Sequence, residues 1–173
     1  MVAPLLPPYR AEVIAIGTSH DGAAVELQPM TPEAARVLGV GLAAIDPWAR
    51  VGYSAETFAA FVAATESGAT RYRILVGGEL AGAMIVRLPW LSGPYLHILG
   101  LLPGFQGRGV GDLALRWFEA EAQGRFRNLW LCVSGFNAGA QRFYAAHGYT
   151  QAATLDSLVF DGVDEHLMRK RLR

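Results

Sequence analysis

Residues 104–119 read GFQGRGVGDLALRWFE, with Gly107, Gly109 and Gly111 at alternate positions ahead of an amphipathic run. Glycine costs about 1 kcal/mol against alanine inside a helix. Three of them at a helix start need a reason. The first helical amides have no intrahelical acceptor, the helix dipole favours an anion there, and glycine removes the Cβ atoms that would hold a phosphate away. Charge-assisted hydrogen bonds of roughly 1.5–3 kcal/mol each would outweigh the glycine cost. An ordinary glycine-rich corner is the other reading, and the local pattern leaves both open. A Walker loop is excluded, because Gly111 is followed by Asp112 instead of Lys. The spacing is G-x-G-x-G, which is not the dinucleotide fingerprint, and no G-x-S-x-G elbow occurs. His20, His97, His147 and His166 form no pair at metal-ligand spacing, and Cys132 is the single cysteine. No metal is expected.

The elements that must position this turn follow from periodicity and punctuation. Residues 1–22 read as a proline-rich arm or a short edge strand, and 23–173 as a single domain. AAVELQPM is a strand. TPEAARVLGVGLAAI opens with a Thr31 cap and Pro32, and SAETFAAFVAATES with a Ser54 cap, so both are helices. RYRILVGGELAGAMIVRL is a hairpin about Gly77-Gly78, and PYLHILGLL is the strand leading into the glycines. A helix follows the glycines. NLWLCVSGF is a strand expected to be buried on both faces, NAGAQRFYAAHGY a short helix stopped by Gly148, and TLDSLVF with DEHLMRKRL a closing hairpin. The fold class is mixed α/β, without the strict βα alternation of a doubly wound sheet.

The chain has 173 residues, 52% of them hydrophobic and 17% charged, which supports one well-packed domain. Lys+Arg and Asp+Glu both number 15, so no basic excess points to nucleic acid. No apolar run approaches the ~18 residues of a membrane span, and the proline-rich N-terminus is unlike a signal peptide. A cytoplasmic protein is expected, with no membrane or nucleic-acid partner. The apolar excess is compatible with a homodimer.

LLPGFQGRGVGDLAL resembles motif A of the GCN5-related N-acetyltransferases (the GNAT superfamily), with Gln106, Gly109 and Gly111 at its fixed positions. NAGAQRFYAAHGY is similar to the second signature of that family through Asn137, Ala140, Tyr144, Gly148 and Tyr149. The order of elements from Val25 onward is similar too. The resemblance implies a GNAT fold. Its central, mostly antiparallel mixed sheet is flanked by helices and splayed between the motif A strand and the next. It implies acetyl-CoA as cosubstrate. The amides of Gly107, Arg108, Gly109, Val110, Gly111 and Asp112 would then cradle the diphosphate, with Gln106 beside them. The backbone of Leu99, Gly100 and Leu101 would pair with the pantetheine arm, and Asn137 would contact the cofactor.

The activity so implied is transfer of acetyl to a primary amine of a small molecule or peptide by direct attack. Tyr144 stands where the family commonly keeps a general acid. His97 matches a histidine of the aralkylamine-type members and is the candidate base, on a strand face shared with Tyr95, Leu99 and Leu101. Trp48 lies in a loop that would wall the acceptor site. DPWARVGYSAETF resembles the branch that acetylates ribosomal-protein N-termini, but that branch keeps a glutamate where Cys132 stands. His166, alternating with Met168, is a further candidate for the cleft wall, and His147 reads as a structural residue in a last helical turn. The alternatives are a protein N-terminal acetyltransferase and a non-catalytic acyl-CoA-binding sensor.

Overall fold

A computed structural model describes residues 7–173. The part of the expected arm comprising residues 1–6 lies outside the described residues. The rest of that segment is held down. Tyr9 is buried, donates its hydroxyl to the Phe118 carbonyl at 2.8 Å and packs on the Phe118 and Trp117 rings.

Strands β1 (Ile14–Thr18) and β2 (Ala24–Pro29) form an antiparallel hairpin. Helix α1 (Pro32–Ala43) begins where Thr31 accepts the Ala34 amide, and α2 (Ala55–Ala63) where Ser54 accepts that of Thr57. The two helices touch through Gly39. A Cβ there would lie 2.5 Å from the Ala59 Cβ and the Ala55 carbonyl, so only glycine allows the approach. Strands β3 (Ala69–Val76), β4 (Glu79–Trp90) and β5 (Gly93–Leu101) continue the sheet as antiparallel neighbours. The chain then makes a 3₁₀ turn at Pro103–Phe105 and enters α3 (Val110–Ala122). Last come β6 (Asn128–Ser134), α4 (Ala138–Ala146), β7 (Thr150–Phe160) and β8 (Val163–Arg171).

All eight strands form one sheet in the order β1-β2-β3-β4-β5-β6-β8-β7, antiparallel except between β5 and β6. Both faces of the sheet centre are covered. Met84 and Val86 of β4 pack with Leu115 and Phe118 of α3 on one side, and Ala83 and Ile85 with Leu38, Leu42 and Phe58 on the other. Burying each of the large apolar side chains contributes about 1.5–3 kcal/mol. Strand β6 departs from the expectation of two packed faces. Leu129, Leu131 and Val133 enter the core, whereas Cys132 and Ser134 face a cavity.

Candidate active site

The cavity exists because β5 and β6 pair only at Tyr95–Trp130 and Leu96–Leu131. At Gly93 the strands converge so closely that a Cβ would sit 2.0 Å from the Asn128 carbonyl oxygen. Beyond Leu96 they diverge. The splay opens a space of about 230 Å³, closed by the loop carrying Trp48 and Tyr53, by α4, and by the β7–β8 end. Toward the open side, Leu99, Gly100 and Leu101 keep ladder partners on β4 alone. Gln106 donates its side-chain amide to the Leu101 carbonyl at 2.9 Å and ties the glycine turn to the end of β5. The Trp48 ring rests on Gly100, where a Cβ would lie 2.7 Å from its Cη2 atom, and meets Phe58 edge-on. Trp48 is therefore both packed and part of the cavity wall.

The three glycines separate into two kinds. Gly107 and Gly109 have φ of +71° and +80°, a left-handed backbone that favours glycine. The His20 ring, from the β1–β2 turn, also crowds Gly109, and the His20 amide donates to the Arg108 carbonyl at 2.9 Å. Gly111 is helical, and a Cβ there would make only ordinary contacts, 3.8 Å from Leu101 and Phe143. The protein's own packing does not require glycine at this position. The amides of Val110, Gly111 and Asp112 open the helix without acceptors among the described residues. Arg108 does not project freely: it pairs with Asp21 and lies against the Phe105 ring.

Helix α4 is set by Asn137, whose Oδ1 accepts the Ala140 amide at 3.1 Å as the cap. Gln141 donates to the Gly135 carbonyl at 2.9 Å and fastens the helix to the end of β6. Tyr144 is 9% exposed and lines the cavity. Burial pushes its phenol pKa up, and its hydroxyl has no hydrogen-bond partner among the described residues. His147 bridges the Phe143 carbonyl (2.8 Å) and the Asp112 carboxylate (2.7 Å). Burial opposes charge on Asp112, but hydrogen bonds from His147 and Arg116 more than offset it and hold the carboxyl below its usual range.

His97 sits in the cavity wall in a setting the sequence did not suggest. Leu96 pairs with Val86 and Ile98 with Ile85, leaving His97 as the extra residue of a bulge. The bulge breaks the expected alternation: Leu99 and Leu101 pack against the α3 core, while the His97 ring meets Phe61 at 5.1 Å on the α2 side. Arg87 donates Nε–H to His97 Nδ1 at 2.7 Å and is itself held by Glu66 at 2.6 and 2.9 Å. An arginine Nε only donates, so the neutral ring carries its proton on Nε2. Burial, then the Arg87 and Arg71 charges, lower its pKa to about 4. Neither nitrogen offers a free lone pair, which suits this ring to donate a hydrogen bond and leaves it poorly equipped to accept a proton.

Sequence reasoning missed Glu165. On β8 it lies opposite Ser134, whose hydroxyl donates to Glu165 Oε1 at 2.6 Å, and it faces the cavity while 9% exposed. The neighbouring candidate, His166, lines an adjoining groove with Arg50 and Gly135 instead. Alternation along DEHLMRKRL separates Glu165 from His166, but only the β6–β8 register shows which side meets the splay. Cys132 shares that wall, and burial raises its thiol pKa. Among the described residues, no cluster of three or more His, Cys, Asp and Glu is placed to hold a metal ion, and no helix is long and apolar enough to cross a membrane.

A mixed sheet opened at its one parallel pair, with a glycine turn and an uncapped helix start at the mouth, matches the fold that the sequence resemblance implied. A profile described as acetyltransferase (GNAT) family matches residues 35–149, so the chain belongs to that family and is an acetyltransferase. No curated protein sequence matches it. Solved structures share the fold. The ribosomal-protein-S18-alanine N-acetyltransferase of Escherichia coli is 21% identical, with a TM-score of 0.66 over 86% of this chain and 94% of that one. RimJ of Mycobacterium smegmatis, in complex with CoA-disulfide, is 14% identical, with 0.70 over 96% and 90%. Arabidopsis thaliana NAA60, in complex with a bisubstrate analogue, is 17% identical, with 0.66 over 86% and 99%.

Proposed function

We propose that the protein moves acetyl from acetyl-CoA to a primary amine by direct attack of the amine nitrogen on the thioester carbonyl. The observation that carries this is the Tyr144 hydroxyl, left without an internal partner in the wall of the cavity where β5 and β6 part. The diphosphate would lie on the amides of Gly107 to Asp112, with no side chain at Gly111 to hold it away. The freed edge of β5 at Leu99–Leu101 would take the amide-bearing arm as an added strand. The thioester would then reach the cavity at Tyr144. A thiol pKa is ~8.5 and a phenol ~10, so Tyr144 need only donate a hydrogen bond or a late proton to the leaving sulfur. A non-catalytic sensor would have no use for that phenol.

A second reading, acetylation of a protein N-terminus, is favoured by the Trp48 loop. That loop resembles the corresponding segment of enzymes acting on ribosomal proteins and forms the cavity wall. An α-amino group of pKa ~7.7–8.0 is already ~10–20% neutral at pH 7, against about one part in 10³ for a lysine-like amine. The lone Cys132 suits a reducing, cytoplasmic setting.

Thermal stabilisation by acetyl-CoA, followed by thiol release with a panel of amines and peptides, tests the proposal. Stabilisation with release for at least one amine is expected. Stabilisation without release for any would leave an acyl-CoA-binding module, and no stabilisation would overturn both.

A further inference from the structure

We propose that Glu165, with Ser134 as its hydrogen-bond donor, receives the ammonium group of the acceptor and takes its proton; this rests on the amine-acetylation reading above. An ammonium ion entering an apolar cavity loses hydration and needs a counter-charge. Among the described residues lining the space, Glu165 is the one carboxylate, and no lysine or arginine lines it. Ser134 occupies Oε1, and the other oxygen has no donor among the described residues. Cys132 and Ser134 face it from β6, Tyr95 from β5 and Tyr53 from the loop, with His166 beside it on β8. Burial holds both phenols protonated, so neither adds a negative charge beside the carboxylate in the neutral range, while the His166 charge favours the ionised carboxylate.

The step balances without a further reactant. The ammonium gives one proton to Glu165. The amine lone pair forms the N–C bond at the acetyl carbonyl, the C–S bond breaks, and its electron pair leaves on sulfur, which takes the Tyr144 proton. The second nitrogen proton restores Tyr144, and the proton on Glu165 passes to solvent. The wall also selects the substrate class. Trp48, Tyr53, Leu158 and Phe160 line the same cavity as this single carboxylate, which fits a monocationic amine on an apolar body. A polyamine would leave its second charge unmatched.

Burial raises the Glu165 pKa, and the Ser134 hydrogen bond pulls it back. The carboxylate is the active form, so activity is lost as pH falls through this raised value. Removing the Ser134 hydroxyl should move that limb to still higher pH.

The test measures kcat/KM against pH for wild type, Glu165→Gln and Ser134→Ala. Acetyl-CoA is the donor, with 2-phenylethylamine and an alanine-initiated peptide as separate acceptor arms and spermidine as the polycationic comparison. Carboxyl-carbon NMR titration of the protein alone accompanies it. Glu165→Gln should lose ~10²–10³-fold and its acidic limb, with acetyl-CoA affinity unchanged. In Ser134→Ala both the acidic limb and the Glu165 titration should move up. A Glu165→Gln rate within about twofold of wild type, or an unmoved limb in Ser134→Ala, overturns the proposal while leaving the acetyltransferase reading intact. Spermidine as the best acceptor overturns the assigned substrate class. Wild-type binding of acetyl-CoA without turnover of any amine overturns the reading and the proposal together.

Discussion

Asp112 Oδ1 lies 2.7 Å from His147 Nε2, joining the first turn of α3 to the end of α4. One partner belongs to the glycine turn and the other sits three residues after Tyr144, so the bond couples the two halves of the site. His147→Ala should cost roughly 1–3 kcal/mol of stability. It should also raise KM for acetyl-CoA and lower kcat together. Chemical denaturation beside steady-state kinetics checks this, and unchanged kinetics would make the bond purely a fold contact.

Tyr144→Phe should lower kcat by roughly 10²-fold and leave acetyl-CoA affinity nearly unchanged. The hydroxyl makes no hydrogen bond within the described protein, so its removal should barely move Tm. Turnover at the wild-type rate would remove Tyr144 from the chemistry.

The glycines offer a contrast. Gly109→Ala puts a side chain at φ +80° against His20 and should destabilise the free protein, with left-handed backbone alone costing about 1–2 kcal/mol. Gly111→Ala meets only ordinary contacts, so the free protein should keep or slightly raise its Tm. Its acetyl-CoA affinity should nevertheless fall tenfold or more, because the new methyl would enter the proposed diphosphate site. Calorimetry with and without acetyl-CoA separates the two effects.

His97 should make stability depend on pH. Its folded pKa of about 4 is below the unfolded value. Between about 6.5 and 4 the unfolded chain binds more protons, so stability is present at neutral pH and is lost as pH falls through that window, by up to roughly 3 kcal/mol. His97→Gln should flatten this part of the stability–pH curve. Arg87→Leu should raise the His97 pKa, visible in its ring-proton NMR titration, because a charge holding the ring neutral is gone.

Much of the fold was legible because its signals are local. Thr31, Pro32 and Ser54 start helices by hydrogen bonds that span three residues, and Gly77-Gly78 turns a hairpin by backbone conformation alone. The glycine turn was legible for the same reason, since a helix start and positive φ are properties of a few consecutive residues. His97 was singled out in the sequence as a candidate base, but the setting that occupies its Nδ1 nitrogen was not legible there. The bulge that turns it toward Phe61 and the Arg87 bond that takes its lone pair come from neighbouring strands.

The order of elements, the helix caps, the glycine turn and the placing of Tyr144 on a short helix were determined by the sequence itself, through interactions that close within one or two turns of chain. Tertiary structure alone decided the rest. It set the divergence of β5 from β6 after two residue pairs, the seat of Trp48 on Gly100, and the alignment of Ser134 with Glu165 across 31 positions. Strand register is a collective result of packing on both faces of the sheet, and a shift by one residue would have turned His166 to the cavity and Glu165 away.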